Sequence, residues 1–248
     1  MLFQALPPTR YDLRFSVGGI PVRVHPLFWL IALLLGSTAD LLTIPVWIFV
    51  VFISVLIHEL GHALAFRFYG IRSQIVLHAM GGLTIPEPTP WGTGWANVSP
   101  GPKQQIVISL AGPFAGFTFA LLVMLGVTVS GGSLFASRLF GILSLPLTAS
   151  MPFGGNLLSV FVTMLLFVNV FWGIFNLLPV LPLDGGQVTR NILVQYDPWD
   201  GVRKSLWVSV VAGAVIALAG LLLMRSIYLA LLFGMLAFQS YQSLQRRY

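Results

Sequence analysis

Hydrophobic positions along this chain fall in long, nearly unbroken runs, with polar residues confined to the gaps and little period-two alternation inside the runs. Six stretches have the character of membrane helices, at roughly residues 27–39, 41–69, 104–129, 157–178, 206–224 and 227–241. A helical crossing of the hydrocarbon layer takes about 20 mainly apolar residues. The first and last stretches are short by that measure, and a turn at 37–40 blurs the end of the first. Continuous rather than alternating runs point to helices, not to barrel strands. Two connections are long. Residues 70–103 hold Gly81-Gly82, the prolines Pro86, Pro88, Pro90 and Pro100, and the tryptophans Trp91 and Trp95. Within it, QIVLHAMGGLTI at 74–85 is too short to span and has β-branched, apolar ends, which predicts a hairpin or re-entrant strand pair at the interface. Residues 130–156 are rich in Gly, Ser and Pro yet apolar, and predict a loop on the outer face. The expected fold is therefore an all-α polytopic membrane protein of about six helices, with one short interfacial β-hairpin after the second helix.

Composition supports the membrane reading. Apolar residues make up 57% of the 248 residues and charged residues 8%, whereas a soluble domain carries about 25% charged residues. A soluble enzyme, a disordered chain, a coiled coil and a free nucleic-acid binder are all excluded. The charges then orient the spans. With the N-terminus inside, Arg10, Arg14, Arg23, Arg67, Arg72, Lys103, Arg190, Arg203, Lys204, Arg246 and Arg247 fall on the cytoplasmic side, and only Arg138 and Arg225 fall outside. Six spans with both termini cytoplasmic thus obey the positive-inside bias. With no cysteine in the chain there is no thiolate metal site, no cysteine nucleophile and no disulfide. The opening MLFQALPPTRYDLRFSVGG lacks the apolar core of a removable signal peptide.

Ionisable groups inside a span are costly and by default mark function. The second run holds three within five residues, His58-Glu59-Leu60-Gly61-His62. On a helix, His58 and His62 stack on one face a turn apart, so two imidazole nitrogens can reach one ion. Glu59, at the edge of that face, can meet a water on the ion without ligating it. H-E-x-x-H is the zinc-hydrolase pattern for this mechanical reason; the plainer alternative is a polar packing network between helices. A tetrahedral zinc with an open position needs a third protein ligand. The other acids are Asp12, Asp40, Glu87, Asp184, Asp197 and Asp200. Only Asp184 follows directly on an apolar helix, where Pro179 and Pro182 end the helix and Gly185-Gly186 allow a sharp turn. A simple helix N-cap is an equally good reading of Asp184.

Three segments in this order carry a resemblance: HELGH in an early span, SLAGPFAG in the next, and NLLPVLPLDGG after a later one. Together they resemble the site-2 protease family of intramembrane zinc metalloproteases, and GIPVRVHPLFWL resembles the segment leading into the first span of its compact bacterial members. The resemblance covers roughly residues 18–190 and implies a single membrane-embedded metalloprotease domain over 1–248, with two further spans at about 206–241. It implies one Zn2+ per chain on His58, His62 and Asp184, Glu59 as the acid/base, and Asn176 holding substrate or the oxyanion. It also implies that the strand region near 74–85 pairs with a locally unwound substrate. The expected activity is hydrolysis of peptide bonds within or near transmembrane segments of membrane-protein substrates, as in regulated intramembrane proteolysis. The expected setting is the bacterial cytoplasmic membrane, with lipid and substrate as partners and no nucleic acid. No PDZ-like or regulatory domain is visible. A metal transporter, or an inactive adaptor that binds transmembrane helices, is the alternative.

Among the remaining polar residues, Asn169 is expected to make a helix–helix hydrogen bond, and Gly112 and Gly116 to allow close packing against the HExxH helix. His25 is expected to be structural. His78 is read as a polar hairpin contact, or else as a gate or accessory ligand. Arg67 and Arg72 are expected to anchor the second span at the headgroups.

Overall fold

The computed structural model describes residues 7–36, 43–87, 100–139 and 143–246. The expected turn at 37–40, with Asp40, and the Pro88–Trp95 part of the long connection lie outside them. In chain order the elements are β1 (Leu13–Val17), β2 (Ile20–Val24), α1 (Pro26–Leu35), α2 (Ile44–Phe68), β3 (Ser73–His78), β4 (Gly81–Pro86) and α3 (Pro102–Val129). After these come β5 (Ser133–Leu139), β6 (Leu143–Ser150), α4 (Gly155–Asn176), α5 (Asp184–Tyr196), α6 (Gly201–Leu222) and α7 (Ile227–Gln245). Among the described residues five helices, α2, α3, α4, α6 and α7, are long and apolar enough to cross a membrane. The first expected span is instead a ten-residue helix, about 15 Å long, half of a bilayer's hydrocarbon thickness.

The chain divides into two compact units, the first formed by the described residues of Met1–Val98 and Ala111–Gly173. Its centre is a four-stranded sheet in the order β1-β2-β3-β4, larger than the single expected hairpin. β1–β2 and β3–β4 are antiparallel hairpins, while β2 and β3 run parallel. Parallel neighbours need a long crossover, and here α1 and α2 supply it. The Gly18-Gly19 loop between β1 and β2 has φ of 56° and 79°, the two left-handed positions that a two-residue hairpin turn with the right twist demands. Ile20, Val22 and Val24 of β2 alternate inward and, with Ile75 and Leu77 of β3, pack on Phe28, Val55, Leu56 and Ala63. The sheet is thereby clamped to the face of α2.

Polar contacts finish this clamp. Arg67, near the end of α2, donates to the Gly18 carbonyl at 2.7 Å, so it holds the hairpin turn as well as lying near the span's end. Asp12 accepts from Thr9 and from Arg23 at 2.9 Å. Burial works against the Asp12 charge, but these hydrogen bonds and the guanidinium prevail and hold its carboxyl well below the usual range. His25 is structural, as expected. It precedes α1, its Nδ1 accepts from Leu27 N, and its own amide extends the sheet to Leu77 O at 2.8 Å.

The outer connection is not a loop. β5 and β6 pair from Ser133↔Ser150 to Leu139↔Leu143, with an irregularity between Phe135 and Ser137. The reason lies in β6, where Leu147 and Ala149 are buried while Ser144, Pro146 and Ser150 are exposed. This is a period-two pattern, and Pro146 suits an edge strand. Thr163 of α4 holds the hairpin by accepting from Ala149 N at 3.0 Å.

The second unit comprises Ser99–Leu110 and Ile174–Tyr248. Here α6 and α7 pack along small residues: a Cβ built on Gly213 would lie 3.0 Å from Ala237 Cβ. Phe175 sits 5.3 Å from the Phe233 ring, which is fully buried.

Candidate active site

In the first unit, His58, Glu59 and His62 lie on consecutive turns of α2 and are buried. The two imidazoles meet edge to face at 83°, with Nε2 of one 3.2 Å from Nε2 of the other. Two nitrogens each bonded to one tetrahedral zinc at about 2.0–2.1 Å would stand about 3.3 Å apart. The pair therefore fits a shared zinc ion, in the spacing and in the chemistry of its donors.

The room for that approach comes from α3. A Cβ built on Gly112 would fall 2.3 Å from His62 Nε2 and 2.9 Å from His58 Nε2, so only glycine lets α3 lie against the two imidazole nitrogens. Gly61 makes the reciprocal approach, since a Cβ there would be 2.4 Å from the Ala111 carbonyl oxygen. The expected close packing of the AGPFAG segment is thus realised, and it bears directly on the histidines.

Glu59 is held from the other side by the sheet. Thr84 of β4 donates to Glu59 Oε2 at 2.7 Å, with the Glu59 backbone carbonyl at 3.1 Å. A Cβ on Gly82 would lie 2.3–2.5 Å from the Glu59 carboxylate atoms, so β4 runs its bare backbone along the carboxylate. β4 is the last strand in the sheet order. Thr84 was not foreseen as a site residue; its only signal was a lone hydroxyl in an otherwise apolar strand. His78 caps the same hairpin, accepting at Nδ1 from Met80 N at 3.3 Å. Burial, and then the nearby His25 and Arg23, push its pKa below the ordinary histidine value, in line with the polar hairpin reading. Asn169 makes the expected interhelical bond, donating to Ser54 Oγ at 2.9 Å and to Leu165 O at 2.8 Å.

Asn176 and Asp184 belong to the second unit. Asn176 ends α4 and is buried; Asp184 is the first residue of α5, and the cap position falls on Leu183. Gly185 and Gly186 form no turn of their own. They start α5 and let the preceding segment fold back onto it: a Cβ on Gly185 would be 2.1 Å from Leu177 O, and one on Gly186 2.6 Å from Leu181 N. That segment is fixed from the membrane helices. Leu181 N donates to Ser209 Oγ of α6 at 2.8 Å, and Ser209 shares a 2.8 Å hydrogen bond with Ser240 of α7. Both serines are buried, and no motif in the last two spans signalled them.

The family model described as Peptidase family M50 matches residues 46–219, well over half of the chain, with His58, Glu59, His62, Thr84, Asn176 and Asp184 inside the match. This chain belongs to peptidase family M50. Its M50 relatives include the zinc metalloprotease MJ0392 of Methanocaldococcus jannaschii, 26% identical over 188 residues, which are 74% of this chain and 46% of the relative. The protein sll0528 of Synechocystis sp. is 32% identical over 198 residues, 73% of this chain and 43% of that one. The chain thus spans less than half the length of these M50 relatives. Among solved structures, the site-2 protease from Methanocaldococcus jannaschii matches with a TM-score of 0.55 and 26% identity, over 94% of this chain and 95% of that one.

Proposed function

We propose that this M50 chain is a zinc-dependent endopeptidase that hydrolyses peptide bonds within or near transmembrane segments of membrane-protein substrates. The observation that carries the proposal is the His58–His62 nitrogen pair at 3.2 Å, with Glu59 beside it, buried in an apolar helix long enough to span. His58, His62 and Asp184 would hold one zinc ion. When bound, the ion supplies Lewis-acid polarisation and a nucleophilic water at neutral pH. Glu59 takes a proton from the attacking water and returns it to the departing amine nitrogen, with Thr84 fixing which carboxylate oxygen faces the reaction. Asn176 would donate to the carbonyl oxygen as negative charge develops there. β4, as an edge strand beside Glu59, supports substrate pairing: a helix that unwinds to expose its scissile bond needs replacement backbone partners. Although α1 is too short to span, Arg67 at the end of α2 bonds the Gly18 turn of the N-terminal hairpin; with that turn and the α2–α3 connection on one side, the Lys and Arg bias supports both termini on the cytoplasmic side of a bacterial cell membrane.

The test is cleavage of a transmembrane substrate by the purified chain in proteoliposomes. Chelation should abolish it and zinc should restore it. A chain that instead moves zinc across the vesicle with no cleavage would be a transporter.

Two supporting residues have their own expected effects. Thr84→Val keeps the strand residue's shape but removes the hydroxyl, and a hydrogen bond to a charged group is worth about 1.5–3 kcal/mol. Turnover should fall at least about tenfold while bound zinc stays constant, as read by kinetics beside metal analysis. Ser209→Ala leaves Leu181 N without its acceptor three residues before Asp184. Loss of such outer support costs metal sites about 10–100-fold in affinity, a change that chelator competition would register. Ser209→Thr, which keeps the hydroxyl, should retain most of the affinity.

A further inference from the structure

Asn169 carries one more feature. Its amide nitrogen donates both to Ser54 Oγ and to the Leu165 carbonyl. A carbonyl only accepts, so the amide orientation is fixed and Oδ1 must face the other way. Asn169 is 2% exposed, and Oδ1 is a buried acceptor with no hydrogen-bond partner among the described residues. Such acceptors are nearly always satisfied, by protein or by an ordered water.

Oδ1 faces a notch on α3. Around the position a Cβ would take on Gly116, two atoms of the described residues outside its own stretch of α3 come within 4 Å: the Asn169 carbonyl oxygen at 3.5 Å and Asn169 Oδ1 at 3.7 Å. A methyl-sized group fits there in ordinary contact, and both of the nearest atoms are acceptors. The occupant must be small and must donate more than one hydrogen bond. In the interior of a membrane protein, that chemistry is water's.

The notch's place gives it a use. Gly116 lies one helical turn beyond Gly112, the residue against the imidazole nitrogens, and Ser54 lies one turn before His58. On α2 and α3 alike the step from histidine pair to notch is about 6 Å. We propose that Asn169 Oδ1 and the Gly116 notch form a water-binding site that stages the water consumed in each hydrolysis. The binding half stands on geometry; the staging half rests on the hydrolytic reading above.

The test has two arms. In an experimental structure of the wild-type chain, ordered water should lie within hydrogen-bond distance of Asn169 Oδ1, and it should be gone in Gly116→Ala. A dry notch in the wild type, or one filled by a side chain or lipid, overturns the site. In proteoliposomes, Gly116→Ala should bind zinc and melt as the wild type does, because its new contacts are ordinary ones, yet lose about tenfold in kcat at unchanged KM. Gly116→Ser should be slow as well, since its hydroxyl satisfies Oδ1 without supplying water. If either variant keeps wild-type kcat, staging is wrong and the water is structural. If the wild type cleaves no membrane substrate, the hydrolytic reading fails, and the structural arm still decides the water site.

Discussion

Glu59→Gln should abolish cleavage while the chain keeps one zinc ion. General acid–base groups contribute about 10²–10⁴-fold, so turnover of a transmembrane substrate should fall by that order. The substitution is chosen for what it preserves. Gln fills the same volume against the Gly82 backbone, where a Cβ would already lie within 2.5 Å of the carboxylate, and its oxygen still accepts from Thr84. Only the capacity to carry a proton is lost. Metal analysis beside a cleavage assay separates the alternatives, because a carrier would keep its flux and an adaptor its binding.

The second large effect is expected where helix propensity predicts the opposite. In most helix interiors Gly→Ala gains about 1 kcal/mol, yet Gly112→Ala should strip the chain of zinc. The new methyl would sit 2.3 Å from His62 Nε2 and 2.9 Å from His58 Nε2. These are atoms of buried rings, and a withdrawal of α3 would give up the close backbone packing that Gly61 makes with Ala111. The imidazoles must turn away from their shared point. Zinc affinity should drop about 100-fold or more, the upper range for disturbed metal surroundings, with cleavage lost in parallel and helical content intact by circular dichroism. Gly126→Ala is the control on the same helix: among the described residues nothing outside its own stretch of α3 lies within 4 Å of its Cβ position, so it should bind zinc normally and be no less stable.

The parts of this protein readable in advance were those with local periodicity. His58 and His62 four residues apart in an apolar run, five of the long helices, and the 73–86 hairpin all declare themselves within a window of one element. What escaped depends on distant partners or on competing local signals. In 133–150 the Gly, Ser and Pro content read as loop, although Leu147 and Ala149 alternate with exposed neighbours. The β1–β2 hairpin was announced only by Gly18-Gly19. Its strands are five residues each, and Arg14 and Arg23 interrupt their apolar pattern. The first span came out as a ten-residue helix because its apolar run alone does not fix where the helix stops. Thr84 is 25 residues from Glu59, and Ser209 is 28 from Leu181. Neither pairing leaves a trace in local spacing, so both had to come from the folded chain.

Zinc K-edge absorption on the purified, membrane-embedded wild type probes the heart of this account. One zinc per chain is predicted, with two imidazole nitrogens at about 2.0–2.1 Å and only oxygen in the remaining positions. A chain that holds no zinc, or holds it with no imidazole signature, would contradict the proposed site at His58 and His62.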